Sequence, residues 1–193
     1  MRNWRFYDHF RSDRDAPSRR PQVGTFTPVL ANDGSDMAPA IATILEIGDN
    51  TALQEAVEDA FPKSSLEIGG TDPFMGLEMK QHGMLRPLKA AELSDGMSRY
   101  LLWITALLSP RPPSLMVLNE PETSLHSDLI EPLGRLILQS AKTTQVIVIS
   151  HNQVLLETLL MSNKVNHISL RKDFGETLAS GEDIHVKWVW PER

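Results

Sequence analysis

The sequence predicts an α/β fold built on a parallel sheet, and three observations carry that prediction. Two short apolar runs, Leu115 to Leu118 and Val146 to Ile149, are too short for helices and suit strands buried on both faces of a sheet. Between them, Ser127 to Ala141 places Leu129, Ile130, Leu133, Leu136 and Ile137 at helical spacing, a crossover helix of the length a parallel pair needs. Each run also ends in polar residues, Asn119–Glu120 and Ser150–His151. Ligands of open α/β sheets collect outside the carboxyl ends of the strands, so the spacing predicts a carboxylate and an imidazole at one rim of a three-layer half-sheet.

At 193 residues the chain is long enough for one domain with a real hydrophobic core. With 41% hydrophobic and 23% charged residues it is an ordinary globular composition, which excludes a disordered or fibrous chain. The formal net charge of −6 gives no support to a surface that wraps nucleic acid. The lack of cysteine excludes disulfides, thiolate metal sites and a cysteine nucleophile, which fits a cytoplasmic protein. No apolar run approaches the ~20 residues that span a bilayer, and the N-terminus lacks the apolar middle of a secretory signal, so no membrane role is expected.

In chain order, residues 1–35 read as an irregular segment rich in Arg, Asp and Pro, whose aromatics Trp4, Phe6, Tyr7 and Phe10 dock on the core. Residues 36–114 open with a helical hairpin. Asp36 caps a helix through Ile47 that Gly48 stops, and a second runs from Asn50 or Thr51 to Pro62. Leu66 to Leu93 reads as a small antiparallel sheet with turns at Gly69–Gly70 and Gly83. Ser94 or Asp95 caps the next helix, through Tyr100, Trp103 and Leu107 to Ser109, ended by Pro110, Pro112 and Pro113. Residues 115–193 are the α/β core, with a further helix at Gln153 to Leu160 and strands at His167 to Arg171 and Ile184 to Trp190. No internal repeat occurs, which excludes a solenoid.

Three motifs in this order carry a resemblance. LMVLNEP resembles a Walker B strand with its following acid, VIVISHN resembles the strand and histidine switch of ABC-type ATPases, and LSDGMS resembles their LSGGQ signature. The wording SDG, NEPETSLH and SHN is most similar to ABC-like ATPases of the AAA family related to RecF and SMC proteins. The resemblance implies a partial P-loop NTPase fold, a parallel-sheet half with flanking helices plus a small α+β lobe bearing the signature. It implies ATP and Mg2+ as ligand and cofactor. Glu120 then orients the attacking water and accepts its proton, and His151 contacts the terminal phosphate or steadies that water. Asn119 stands at the Mg2+-shell position, where a neutral amide replaces the usual aspartate. Ser94, Asp95 and Gly96 form the loop that completes the opposing subunit's site in trans, with Met97 in place of glutamine. Ser124, Leu125 and His126 stand in the loop after Walker B that crosses a dimer interface, His126 where an aspartate is usual. The other five histidines have no metal-like spacing.

The pattern GxxxxGK[ST], whose backbone nest and lysine hold the β- and γ-phosphates, occurs nowhere in the chain. Relative to the family, Met1 enters about halfway through, so the chain reads as a C-terminal part whose nucleotide site needs a second ATPase subunit or a Walker A-bearing chain. Two other readings stay open. One is a non-catalytic interaction module able to form a homodimer; the other is a subunit of a RecF-like DNA-repair or defence ATPase.

Overall fold

The computed structural model describes residues 4–173 and 176–180. The chain divides into two compact units, Met1–Leu159 and Leu160–Arg193. In the first, a parallel sheet has the order β1 (Trp4–Tyr7), β6 (Leu115–Asn119), β7 (Gln145–Ile149). β6 and β7 run in register from Leu115↔Gln145 to Asn119↔Ile149, so their polar ends emerge together. β1 pairs along β6 from Trp4↔Leu115 to Tyr7↔Leu118. The N-terminal segment is therefore not wholly irregular. Four residues alternating across the sheet were enough to make a strand, though they are too few to stand out among the charges around them.

An antiparallel sheet holds β2 (Gln22–Val23), β4 (Phe74–Gln81) and β3 (Ser64–Thr71) in that order, with β5 (Leu88–Lys89) also on β4. The turn between β3 and β4 falls at Asp72–Pro73, and Gly69 and Gly70 lie inside β3. Gly70 pairs with Met75 at φ +123°, where an added Cβ would come within 2.5 Å of the Phe74 carbonyl oxygen. Gly70 thus permits a close backbone approach inside a strand, a Cβ on Gly69 would meet the Glu78 side chain, and neither makes the turn their spacing predicts. Gly83 does stand in a turn, at φ +85°.

The helices follow the periodicity. α1 is Met37–Ile47, and α2 is Asn50–Ala60, capped by the Asp49 side chain on the Ala52 N–H. Asp36 stands at the N-cap of α1 as expected, with its carbonyl accepting the Ala40 N–H at 3.0 Å, but its side chain does not bond the helix, and its Oδ1 accepts from the Ala31 N–H at 2.9 Å. α3 is Asp95–Leu107, capped by the Ser94 hydroxyl on the Met97 N–H. A 3-10 turn at Ser127–Leu129 leads into α4 (Ile130–Ser140), so the predicted crossover helix starts three residues late. α5 is Gln153–Leu160. One core joins them, with α3 fully buried at Tyr100, Leu101, Leu102 and Ile104. Phe10 stacks edge-on to Trp103 at 4.8 Å and lies 5.3 Å from Tyr7, fastening the N-terminal segment to α3.

Among the described residues of the first unit, the sheet is covered on one face only. Tyr7, Met116 and Leu118 are buried there, whereas on the opposite face Trp4 is 47% exposed, Phe6 55%, Ile147 45% and Ile149 52%, with Leu115 and Val117 half-buried. The expectation of strands buried on both faces is thus corrected for the second face.

In the second unit, β8 (Ser169–Asp173) and β9 (Glu176–Ser180) form an antiparallel hairpin. The strand expected at Ile184 to Trp190 lies outside the described residues. No helix among the described residues is long and apolar enough to cross a membrane.

Candidate functional site

The site is built on the tips of three adjacent parallel strands. β6 ends in Asn119 and passes to Glu120, whose N–H donates to the Ile149 carbonyl at 2.8 Å and extends the ladder by one bond. To make that bond and still turn away, Glu120 adopts φ +45°, a left-handed conformation that costs a residue with a side chain on the order of 1 kcal/mol. The turn closes through the Thr123 N–H on the Glu120 carbonyl at 3.0 Å. β7 ends next door, and His151 Nδ1 comes within 3.4 Å of Glu120 Oε1. Both side chains are accessible, Glu120 at 48% and His151 at 79%, so neither is spent on core packing.

Glu122 steadies the second tip from below. It is 7% exposed, and its Oε1 accepts the Ser150 hydroxyl proton. Ser150 Oγ in turn accepts the Asn152 N–H at 3.0 Å, and Asn152 Oδ1 caps α5 on the Leu155 N–H. The third tip, β1, presents Asp8, whose Oδ1 accepts from Asn119 Nδ2 at 2.5 Å. The sequence marks Ser150 only as a polar strand end, and it gives no sign of Asp8 or Glu122 at the site. Asp8 follows a strand too short to be recognised, and the Glu122–Ser150 bond spans 28 residues without a local signature.

The loop after Glu120 meets the predicted signature loop. Ser124 takes φ +63°, and its carbonyl oxygen lies 3.6 Å from where a Cβ on Gly96 would stand. Ser94 is engaged as the α3 cap, and Asp95 Oδ1 accepts from Arg19 at 2.7 Å. Met97 packs against the core, which gives a physical reason for an apolar residue there. His126 Nδ1 accepts the Asp128 N–H at 3.4 Å, so it caps the 3-10 turn that opens α4. The approach to the signature is clamped by Arg86, whose bidentate hydrogen bonds hold the Glu92 carboxyl down to about 2.

The residues at the tips offer oxygen donors, Asp8, Asn119 and Glu120, a set suited to Mg2+ and not to zinc. Among the described residues no group of three or more His, Cys, Asp or Glu could hold a metal by itself. Surface clefts lie elsewhere, along α2 at Gln54, Glu55, Glu58 and Asp59 and between α2 and α4 at Asp59 and Arg135. The first is an open acidic surface, and the second sets the Asp59–Arg135 ion pair beside Ala56, Pro132 and Leu136.

The family model described as "AAA domain, putative AbiEii toxin, Type IV TA system" matches residues 1–157. No curated protein matches the chain. Solved structures with similar folds include a chain described under the ATP-driven dimerization and DNA-stimulated activation of SMC ATPases, at TM-score 0.57 and 16% identity over 74% of this chain and 88% of that one. An Smc head bound to the C-terminal winged-helix domain of ScpA aligns at TM-score 0.58 and 16% identity, over 79% of this chain and 54% of its own. The SMC head domain from Thermotoga maritima aligns at 0.51 and 19%, over 77% and 52%. The chain spans about half the length of the latter two. At these identities the likeness shows a shared fold, an SMC-type ATPase head with its parallel sheet and flanking helices.

Proposed function

Because this chain belongs to that AAA-domain family, we propose that it supplies part of an ATP-hydrolysing site, completed by a phosphate loop on a Walker A-bearing polypeptide segment. The observation that carries the proposal is the 3.4 Å approach of His151 Nδ1 to Glu120 Oε1 at the tips of neighbouring strands. Glu120 is the base: its accessible carboxylate orients a water for in-line attack and accepts the proton released. His151 holds that carboxylate's orientation through Nδ1 and contacts the terminal phosphate or steadies the water through its other ring nitrogen. Ser150, locked by Glu122, sets where the imidazole stands. Mg2+, when bound, would neutralise phosphate charge, and Asp8 and Asn119 are the residues that would hold it.

Ser94, Asp95 and Gly96, with Ser124 and His126 beside them, form a surface for a second ATPase subunit. ATP-driven dimerization is described for an SMC relative, and we carry that behaviour over to this chain. The family's description as a type IV toxin–antitoxin component fits the defence-ATPase alternative, in which the same site serves a larger assembly.

The test is phosphate release with Mg2+ and ATP, by the chain alone and mixed with polypeptides from the same genome that carry GxxxxGK[ST]. The chain alone is expected to be silent and one mixture active, with Glu120→Gln lowering that activity roughly 10²- to 10⁴-fold. Steady hydrolysis by the chain alone would overturn the shared site, and activity indifferent to Glu120→Gln would overturn the role of the strand tips. Silence in every mixture would favour the non-catalytic interaction module.

A further inference from the structure

The signature loop and the Glu120 turn are joined through the protein interior by two buried guanidinium groups and one serine. The Arg19 side chain is 5% exposed and uses all five of its N–H donors. Nε and Nη2 donate to the Ser12 carbonyl at 3.0 and 2.9 Å. Nη1 donates to the carbonyls of Ala90 and Leu93 at 3.3 and 2.6 Å, and Nη2 to Asp95 Oδ1 at 2.7 Å. Ser12 continues the chain from its other polar group: its hydroxyl accepts Nε and Nη2 of Arg99, each at 3.4 Å. Arg99 Nη1 then donates to the Thr123 carbonyl at 3.0 Å. Thr123 closes the Glu120 turn through its N–H and stands 3.5 Å from Glu120 Oε2 through its hydroxyl.

Burying two cations is costly unless their donors are satisfied, and a core built for packing alone would place apolar side chains here. Asp95 is the carboxylate in contact with Arg19 and the one whose charge acts on Arg99, yet its own side chain is 67% exposed. Whatever engages Asp95 from outside therefore alters the acceptor set of a buried charge. The cost of that change is shared along the bonds that Ser12 connects.

We propose that Arg19, Ser12 and Arg99 form a relay that makes the geometry of the Glu120 turn depend on the state of the Ser94–Gly96 loop. Its catalytic meaning rests on Glu120 being the base, as read above. The relay itself is a property of the folded chain. Contact at the signature surface, by a phosphate or a second subunit, would adjust the residue that orients water without any change in the sheet.

Amide hydrogen exchange on the full chain tests this in a four-protein cycle: the parent, Asp95→Asn, Ser12→Ala and the double variant. Asp95→Asn removes the exposed charge. Ser12→Ala removes the hydroxyl used by Arg99 and keeps the carbonyl used by Arg19. Asp95→Asn is expected to speed exchange in 93–98 and, roughly threefold or more, in 122–126. The effect on 122–126 is expected to be lost when Ser12 is already alanine, with α4 unchanged throughout. Two results would overturn the relay: an unchanged 122–126 segment in Asp95→Asn, or equal acceleration with and without the Ser12 hydroxyl. The second would mean that the direct approach of Gly96 to Ser124 carries the signal. No nucleotide enters the measurement, so it is separable from the hydrolysis assay, and either result can fail alone.

Discussion

Asn119 shows how one residue's identity follows from its neighbour. An aspartate there would set two carboxylates against each other at the 2.5 Å now spanned by a hydrogen bond to Asp8, and the amide supplies a donor instead. On the function proposed above, the charge that the resembled motif puts on β6 stands on β1 as Asp8. Asn119→Asp is accordingly expected to lower stability at neutral pH by about 1 kcal/mol, the repulsion of two unit charges a few ångströms apart near water. The loss should shrink in acid, where carboxylates are protonated, and Asp8→Asn in the same chain should restore it. Urea unfolding of the parent, the single and the double variants at two pH values measures this. An unaltered midpoint for Asn119→Asp at neutral pH would show that the two side chains do not meet.

At the scale of elements, α4 and α5 pack through a glycine. A Cβ added at Gly134 would lie 2.6 Å from Thr158 Cγ2 and 2.9 Å from its Cβ. Two effects then compete in Gly134→Ala: helix propensity favours alanine by about 1 kcal/mol, while overpacking costs roughly 1–3 kcal/mol. Both Thr158 atoms are close to the backbone and cannot swing aside, so the clash should win. The variant is expected to be less stable by ~1 kcal/mol, and Thr158→Ser in the same chain to recover part of that, read from thermal unfolding. Apolar periodicity announced these helices, as it did β6 and β7 with their polar tips, because each was long enough or uniform enough to show its period. β1 was hidden by its brevity. Gly70 inside β3 reads as a turn because a glycine that admits a neighbouring backbone looks the same in sequence as one that turns the chain. Asp8, Ser12, Arg19 and Arg99 left no local trace: apart from the Arg19–Ser12 bonds, seven residues apart, the contacts that tie them to the site cross from 24 to 111 residues of sequence.

The whole molecule poses a question that no single element does: why Leu115 to Leu118 is apolar on every residue when the sheet covers one face. A strand with one wet face alternates, and this one does not. Its second face instead continues across the sheet as Trp4, Phe6, Ile147 and Ile149, each 45–55% exposed. A contiguous apolar panel rimmed by the strand tips has the composition of a buried face, which is the reason the sequence reads as a sheet covered on both sides. On the function proposed above, the occupant of this panel is the polypeptide segment carrying GxxxxGK[ST], since its docking would bring the phosphate cradle to the rim that holds Glu120 and His151. Phe6→Ser and Ile147→Lys should therefore weaken association with the P-loop-bearing polypeptide by tenfold or more, the effect of about 1.4 kcal/mol of lost apolar contact. Both side chains point away from the core, so the variants should unfold at the parent's temperature. Light scattering of mixtures, with the unfolding midpoint as control, decides it. Association undiminished in both variants would place the partner on another surface and leave the apolar second face without an explanation.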